Sequence, residues 1–291
     1  MMKKRILLVL SLIMFLFLNG CVYWDINFNF TTSTQTALTT TLPIISNGTM
    51  TIEADQYASY ASFSSSTYEL TDVNLYNDVL LATRNKIRKS NVQVVAVIFH
   101  NSQFFPYSKI IDSTMNGSGI IFKADATDYY ILTNQHVIDD KGKLATYEVT
   151  LFDRTESRIA TLIAYDEDLD LAVLKVPKAT EDSVEIMDVT SRVFKKFTSG
   201  ELVLAVGNPL SVVNNVTFGE FISMETIANA SYKVIYHNAM IHEGSSGGAL
   251  TDIDGNFLGV NTWGASDSDE QSFSIPNDIV YMFLYNRGLL E

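Results

Sequence analysis

The chain has 291 residues, 47% of them apolar and 11% aromatic, long enough to bury a sizeable core in one large domain or two small ones. Its 33 Asp and Glu against 20 Lys and Arg leave a formal net charge of -13, which argues against nucleic acid as a partner and against electrostatic adhesion to anionic lipid. A single cysteine excludes any intramolecular disulfide.

The first element is Lys3-Lys4-Arg5 followed by an uncharged apolar run over 6–18 and then Asn19-Gly20-Cys21. Thirteen residues are short for a bilayer span but suit the hydrophobic region of a secretory signal peptide, so 1–20 is predicted to direct export. Leu18-Asn19-Gly20-Cys21 resembles the lipobox of bacterial lipoproteins, which implies lipidation at Cys21, anchoring through acyl chains and an extracytoplasmic, membrane-anchored location; the Asn is unusual there. A plain secretory signal followed by an incidental cysteine is the competing reading. Residues 1–20 carry three basic side chains and no acidic one, so their removal makes the balance more negative and leaves any anchoring to lipid rather than charge.

Residues 21–71 read as a spacer: eight of the eleven residues in 31–41 are Ser or Thr, and no Lys or Arg occurs over 6–83. Such a composition does not bury enough apolar surface to fold alone, and as a flexible coil it would reach about 40 Å. Tyr57, Tyr60, Phe63 and Tyr68 leave open that its later half packs onto the domain. Around 77–90, Val79, Leu80 and Ile87 with Arg84, Lys86, Arg88 and Lys89 fit an amphipathic helix with cations in its last turn. Short β-branched or aromatic runs then recur at 92–99, 119–123, 129–133, 147–152, 158–165, 171–176, 201–206, 216–224, 232–236, 257–262 and 272–275, separated by turn residues. That is an all-β pattern, and five to six strands per barrel make two barrels. The chain closes on a helix over 276–290, with Pro276 in its first turn, Ile279, Val280, Phe283 and Leu284 on one face and Gly288 near its stop.

The candidate chemistry centres on Gly244-Ser245-Ser246-Gly247-Gly248. A serine pressed among glycines exposes its Oγ and lets nearby N–H groups face a developing oxyanion; turn chemistry alone also favours these residue types. A serine nucleophile needs a base, and the chain has four histidines. His100 reads as a loop residue after a strand, His237 stands in Tyr236-His237-Asn238, and His242 lies four residues before Ser246. His136, in Thr133-Asn134-Gln135-His136-Val137-Ile138, sits in a polar turn at a strand end with apolar residues on both sides, a rigid support. The orienting carboxylate comes from Asp166-Glu167-Asp168-Leu169-Asp170. Asp170 leads into Leu171-Ala172-Val173-Leu174 and is the one placed to be desolvated and fixed.

These three segments resemble the trypsin-like serine endopeptidases, and among them the bacterial HtrA/Deg family. Gly117-Ser118-Gly119-Ile120, Ala205-Val206-Gly207-Asn208-Pro209-Leu210, Gly259-Val260-Asn261-Thr262 and Phe273-Ser274-Ile275-Pro276 carry the resemblance further, so that it covers 78–291. It implies a protease domain over 72–291 made of two six-stranded antiparallel β-barrels, at about 91–180 and 195–275, with a C-terminal helix. It further implies His136 as general base, Asp170 as its orienter, Ser246 as nucleophile, and the N–H groups of Gly244 and Ser246 as the oxyanion hole. Thr262 matches the residue that supports the aspartate, and Val260, Asn261, Thr262, Trp263 and Gly264 would pair with an extended polypeptide substrate. No metal or other cofactor is implied.

Departures from the family pattern bear on activity. Ser245 replaces the aspartate that trypsins use on activation by N-terminal cleavage and the asparagine usual in HtrA proteins. Met240 stands where trypsins place an acidic pocket floor, so Met240 and Ile241 point to a small or medium apolar residue in the substrate. Trp263-Gly264 resembles the glutamyl endopeptidases without a cation to hold a glutamate. The 45 residues after Ser246 leave no room for a PDZ domain, the oligomeric state is undefined, and a protease-like lipoprotein that binds peptides or host surfaces without turnover is the rival reading.

Overall fold

A computed structural model describes residues 43–46, 48–53, 56–63, 65, 73–101, 109–209, 213–228, 230–264 and 271–290. The basic and apolar N-terminus, Cys21 and Tyr68 lie outside the described residues. Two short strands, β1 (Ile44–Ser46) and β2 (Thr49–Thr51), pair antiparallel. A 3-10 turn over Gln56–Ser59 leads to β3 (Ala61–Ser62), and helix α1 (Val73–Ser90) follows. The first barrel consists of β4 (Asn91–Asn101), β5 (Lys109–Ala124), β6 (Asp128–Thr133), β7 (Leu144–Thr150), β8 (Arg158–Asp166) and β9 (Leu171–Pro177), closed in the order β4-β5-β6-β9-β8-β7. After β10 (Lys195–Lys196) come β11 (Leu202–Gly207), β12 (Asn215–Thr226), β13 (Lys233–His237), β14 (Ala249–Asp252), β15 (Phe257–Gly264) and β16 (Ser272–Pro276). These close as β11-β12-β13-β16-β15-β14, and α2 (Asn277–Asn286) ends the fold. All neighbouring pairs in both barrels are antiparallel.

The strands follow from the period-two burial of β-branched residues. In β4, Val92, Val94, Ala96 and Ile98 are buried while the residues between them are partly exposed. In β9 the alternation disappears, because both of its faces are covered. Ala172 and Leu174 enter the core of the first barrel, whereas Leu171 and Val173 join a second core with Leu204, Val206, Val234, Ala249, Phe257, Val260 and Ile275 from the other barrel. Ile120, Phe122 and Leu132 add to this inter-barrel core, and so do Ile87 of α1 and Ile279, Val280, Phe283 and Leu284 of α2.

Helix α2 buries the face expected of it, but Pro276 is its N-cap in extended conformation, one residue outside the helix. Its end is a Schellman turn: the N–H of Leu289 donates to Leu284 O, that of Gly288 to Tyr285 O, and Gly288 has φ +66°. The described residues within 43–63, expected as the later half of a spacer, are docked on the second barrel and α2. Asn286 exchanges two hydrogen bonds with the backbone of Met50, and β3 pairs parallel with β10. The Tyr57 hydroxyl accepts the N–H of Phe197, and the buried Tyr60 bonds Asp278 at 3.0 Å. The ring of Phe63 lies 4.4 Å from the guanidinium of Arg192, which is itself buried against Glu201 and Asp252.

Candidate active site

His136 follows β6 in a turn closed by the N–H of Ile138 onto Gln135 O. Val137 and Ile138 anchor that turn in the core of the first barrel. The imidazole Nδ1 lies 2.9 Å from both carboxylate oxygens of Asp170, and the backbone N–H of His136 donates to Oδ1 at 3.0 Å. Placed against a carboxylate, Nδ1 holds the proton, which leaves Nε2 with a free lone pair.

Asp170 is prepared for this contact by its backbone. It has φ +53°, a left-handed conformation that Asp tolerates better than most residues at a cost of about 1–3 kcal/mol. Burial of Leu171, Val173 and Leu174 immediately afterwards contributes about 1.5–3 kcal/mol per side chain, so packing of β9 outweighs the strain. Three further hydrogen bonds fix the segment. Asn134 Nδ2 donates to Asp170 O at 2.9 Å, Thr262 Oγ1 donates to Asp170 Oδ2 at 2.8 Å, and the Tyr232 hydroxyl donates to Leu169 O at 2.9 Å. Two of these donors come from the second barrel. Burial, together with the charges of Asp170 and Asp166, pushes the Tyr232 pKa upward and keeps it a donor.

Ser246 lies on the loop before β14. Ser245 is buried, and its Oγ accepts the N–H of His242 at 3.3 Å; Ser246 is the half-buried one of the pair. The Ser246 hydroxyl donates to Thr262 O at 3.0 Å, and no hydrogen bond joins it to His136 in this arrangement. Around it the backbone donors divide in two. The N–H of Ser245 goes to His242 O, that of Gly247 to Asn261 O and that of Gly248 to Ser245 O, whereas those of Gly244 and Ser246 have no protein acceptor among the described residues.

Glycine is required by both backbone conformation and space at Gly244 and Gly247 of this loop, and by space at Gly248, where a Cβ would lie 2.0 Å from Val206 O. Gly244 has φ +93°, and a Cβ there would lie 2.6 Å from Asn208 O; Gly247 has φ +89°, and its Cβ would lie 2.1 Å from Ser118 O. Gly247→Ala is therefore expected to destabilise the fold by about 2–4 kcal/mol, measured by denaturant unfolding, because its two close neighbours, Ser118 O and Thr133 Oγ1, belong to buried residues.

The other histidines are placed elsewhere. His100 pairs with Asp112 at 3.5 Å near the end of β4. His237 is fully buried with Nε2 3.0 Å from Ser274 Oγ, and burial lowers its pKa to about 3, so it stays neutral. His242 contributes its backbone to the turn before Ser246.

The stretch 260–264, expected to pair with peptide, is not uniform in its exposure. Val260 and Asn261 are completely buried, and Asn261 exchanges backbone hydrogen bonds with the 247–248 loop on one side while facing Ser274 of β16 on the other. Beyond them, Trp263 and Gly264 pair with β16 alone, so the unpaired edge runs over 262–264. Gly264 faces Ile241, whose carbonyl would be 3.1 Å from an added Cβ. Ile241 is buried in the core of the second barrel, and Met240 is exposed with its carbonyl accepting from Thr217 Oγ1. No group of three or more His, Cys, Asp or Glu among the described residues is arranged to hold a metal ion.

Residues 117–260 match the family profile described as a trypsin-like peptidase domain. The serine protease Do-like HtrA of Bacillus subtilis (strain 168) is 35% identical over 190 residues, 60% of this chain and 40% of its own length. The protein of the same name from Lactococcus lactis subsp. lactis (strain IL1403) is 31% identical over 240 residues, 72% of this chain and 56% of its own length. The chain thus spans about half the length of these curated relatives. Among solved structures, the HtrA-type protease AlgW with a decapeptide superposes with a TM-score of 0.56 and 26% identity, over 69% of this chain and 64% of that one. A serine endoprotease from Yersinia pestis gives a TM-score of 0.52 and 28% identity, over 73% of this chain and 66% of that one.

Proposed function

From a chain that carries a trypsin-like peptidase domain and has HtrA serine proteases as homologues, we propose a serine endopeptidase that cleaves polypeptides through an acyl-enzyme. The profile match and the named relatives support a hydrolase of this class. The observations that carry the reading to this chain's own residues are the pairing of His136 Nδ1 with Asp170 and the N–H groups of Gly244 and Ser246, which have no protein acceptor among the described residues.

In this reading Ser246 Oγ attacks the scissile carbonyl while His136 Nε2 takes its proton. Nδ1 keeps its own proton, and the imidazolium is stabilised by Asp170. The N–H groups of Gly244 and Ser246 receive the developing oxyanion. His136 then passes its proton to the leaving amine, and water repeats the sequence on the ester. The Ser246 hydroxyl, directed at Thr262 O, turns about its Cα–Cβ bond to meet Nε2, a tightening common when substrate enters an apo site. The edge over 262–264 would hold the peptide as an added strand, with Met240, Ile241 and Gly264 favouring a small or medium apolar residue before the cut bond. No step calls for a cofactor. The test is treatment with a fluorophosphonate followed by peptide mapping: the adduct is expected on Ser246, while no adduct alongside peptide binding would favour the rival, non-hydrolytic reading.

The domain is proposed to span 72–291 with the docked 43–63 stretch. Ahead of it would lie a signal peptide over 1–20, a lipidated Cys21 and a spacer, holding the enzyme outside the cytoplasm. The basic-apolar N-terminus and the lipobox-like Leu18-Asn19-Gly20-Cys21 support this. Cys21→Ser is expected to move the protein from the membrane fraction to the medium or the soluble extracytoplasmic fraction; retention in the membrane would refute the anchor.

A further inference from the structure

Ser118 lies on β5 of the first barrel, fully buried, between two glycines that let the strand approach its neighbours. Its N–H donates to Ser246 O at 2.7 Å and its Oγ to Gly244 O at 2.7 Å. The direction of the second bond is fixed by chemistry: Oγ also receives the N–H of Asn208 at 2.8 Å and Nδ2 of Asn208 at 3.1 Å. With both lone pairs occupied, the hydroxyl proton has only Gly244 O to go to. Ser118 therefore spends both of its donors on the carbonyls of Gly244 and Ser246. These are the two residues whose own N–H groups have no protein acceptor among the described residues.

We infer that Ser118 is the positioning residue for the proposed oxyanion hole, holding from behind the two residues whose N–H groups face the reacting carbonyl. The inference rests on the proposed endopeptidase function. Its physical basis is the freedom of Gly244, which at φ +93° has no Cβ to bias its flanking peptides. The bond to its carbonyl fixes the Gly244–Ser245 peptide and with it the Cα from which the Gly244 N–H extends, before substrate arrives. Released, Gly244 is free to turn about both of its backbone bonds, its N–H swings with the Glu243–Gly244 peptide, and the hole is assembled only part of the time. Loss of one oxyanion donor costs about 10²–10³ in kcat in serine proteases, so a donor that is present only part of the time should cost about 10- to 100-fold.

The test uses the full chain with a peptide substrate and a peptide boronate, whose tetrahedral adduct places an oxygen in the hole. Wild-type turnover and boronate binding come first, and their absence would overturn the endopeptidase reading itself. With both present, Ser118→Ala is expected to lower kcat about 10- to 100-fold, leave KM within about twofold and weaken the boronate by the same factor as kcat. Ser118→Cys, which keeps the shape with a weaker donor, should fall between the two and decides the matter if the alanine variant does not fold. Thr83→Val removes a similarly buried hydrogen bond, to Ile253 O at 2.7 Å, and should lower stability with kcat unchanged. The inference is overturned if the Ser118 variants keep full kcat, if their loss lies in KM, if boronate affinity does not follow kcat, or if Thr83→Val loses kcat equally.

Discussion

Replacing Ser246 by alanine is expected to lower kcat by about 10⁶, the scale on which serine proteases respond to loss of the nucleophile, and to abolish fluorophosphonate labelling. Loss of the hydroxyl forfeits one hydrogen bond, to Thr262 O, worth about 0.5–1.5 kcal/mol. The backbone bonds that hold the loop, from Ser118 N–H to Ser246 O and from Gly247 N–H to Asn261 O, are untouched. Activity and stability should therefore separate cleanly, with unfolding shifted slightly and proteolysis of casein gone. Ser245 does not substitute as nucleophile, because it is buried with its Oγ occupied by the N–H of His242. Casein cleavage persisting in the purified variant would rule out the proposed nucleophile.

Asp170→Asn is expected to lower kcat by about 10⁴ with the fold intact. The two carboxylate oxygens have different neighbours: Oδ1 accepts the backbone N–H of His136, and Oδ2 accepts the Thr262 hydroxyl. An asparagine keeps its carbonyl at the Oδ1 position, where a fixed N–H demands an acceptor, and places its NH₂ at the Oδ2 position, where the threonine hydroxyl rotates to accept. That NH₂ then faces Nδ1 at the distance of the present 2.9 Å contact and donates to it. The imidazole proton is driven to Nε2, the atom that must take the proton of Ser246, and general-base catalysis stops. Steady-state kinetics beside a thermal melt checks this, and a loss below tenfold would remove Asp170 from its proposed role.

Much of the architecture is legible in the residues because it rests on local patterns. The alternation in β4 and the apolar face of α2 are written where they are used. Two of the candidate site residues, His136 and Asp170, stand out because each adjoins a strand end, and Ser246 because it is pressed among glycines. Strand β14 was not legible: its four residues are all buried, which leaves no alternation to detect, and it follows directly on glycines that read as a turn. The first half of β5 was missed for the opposite reason. Its exposed residues, among them Asp112, Ser113 and Thr114, are held extended by pairing with β4 rather than by burial. The docking of 43–63 depends on partners such as Asn286, 236 residues from Met50. The arrangement at Ser118 joins residues 126 positions apart, so its motif was visible while its use was not.

The inter-barrel core makes the site a sensor of its own assembly. His136 and Asp170 belong to one closed ladder of strands and Ser246 to the other, and each ladder is complete in its own hydrogen bonds. Separation of the two along the Leu171, Val173, Leu204 and Val260 contacts would preserve nearly all secondary structure while pulling His136, the proposed base, from Ser246, the proposed nucleophile, and Ser118 from Gly244. Functional inactivation is therefore expected to precede melting of the strands, so that a loosened molecule would fall silent before it could digest its neighbours.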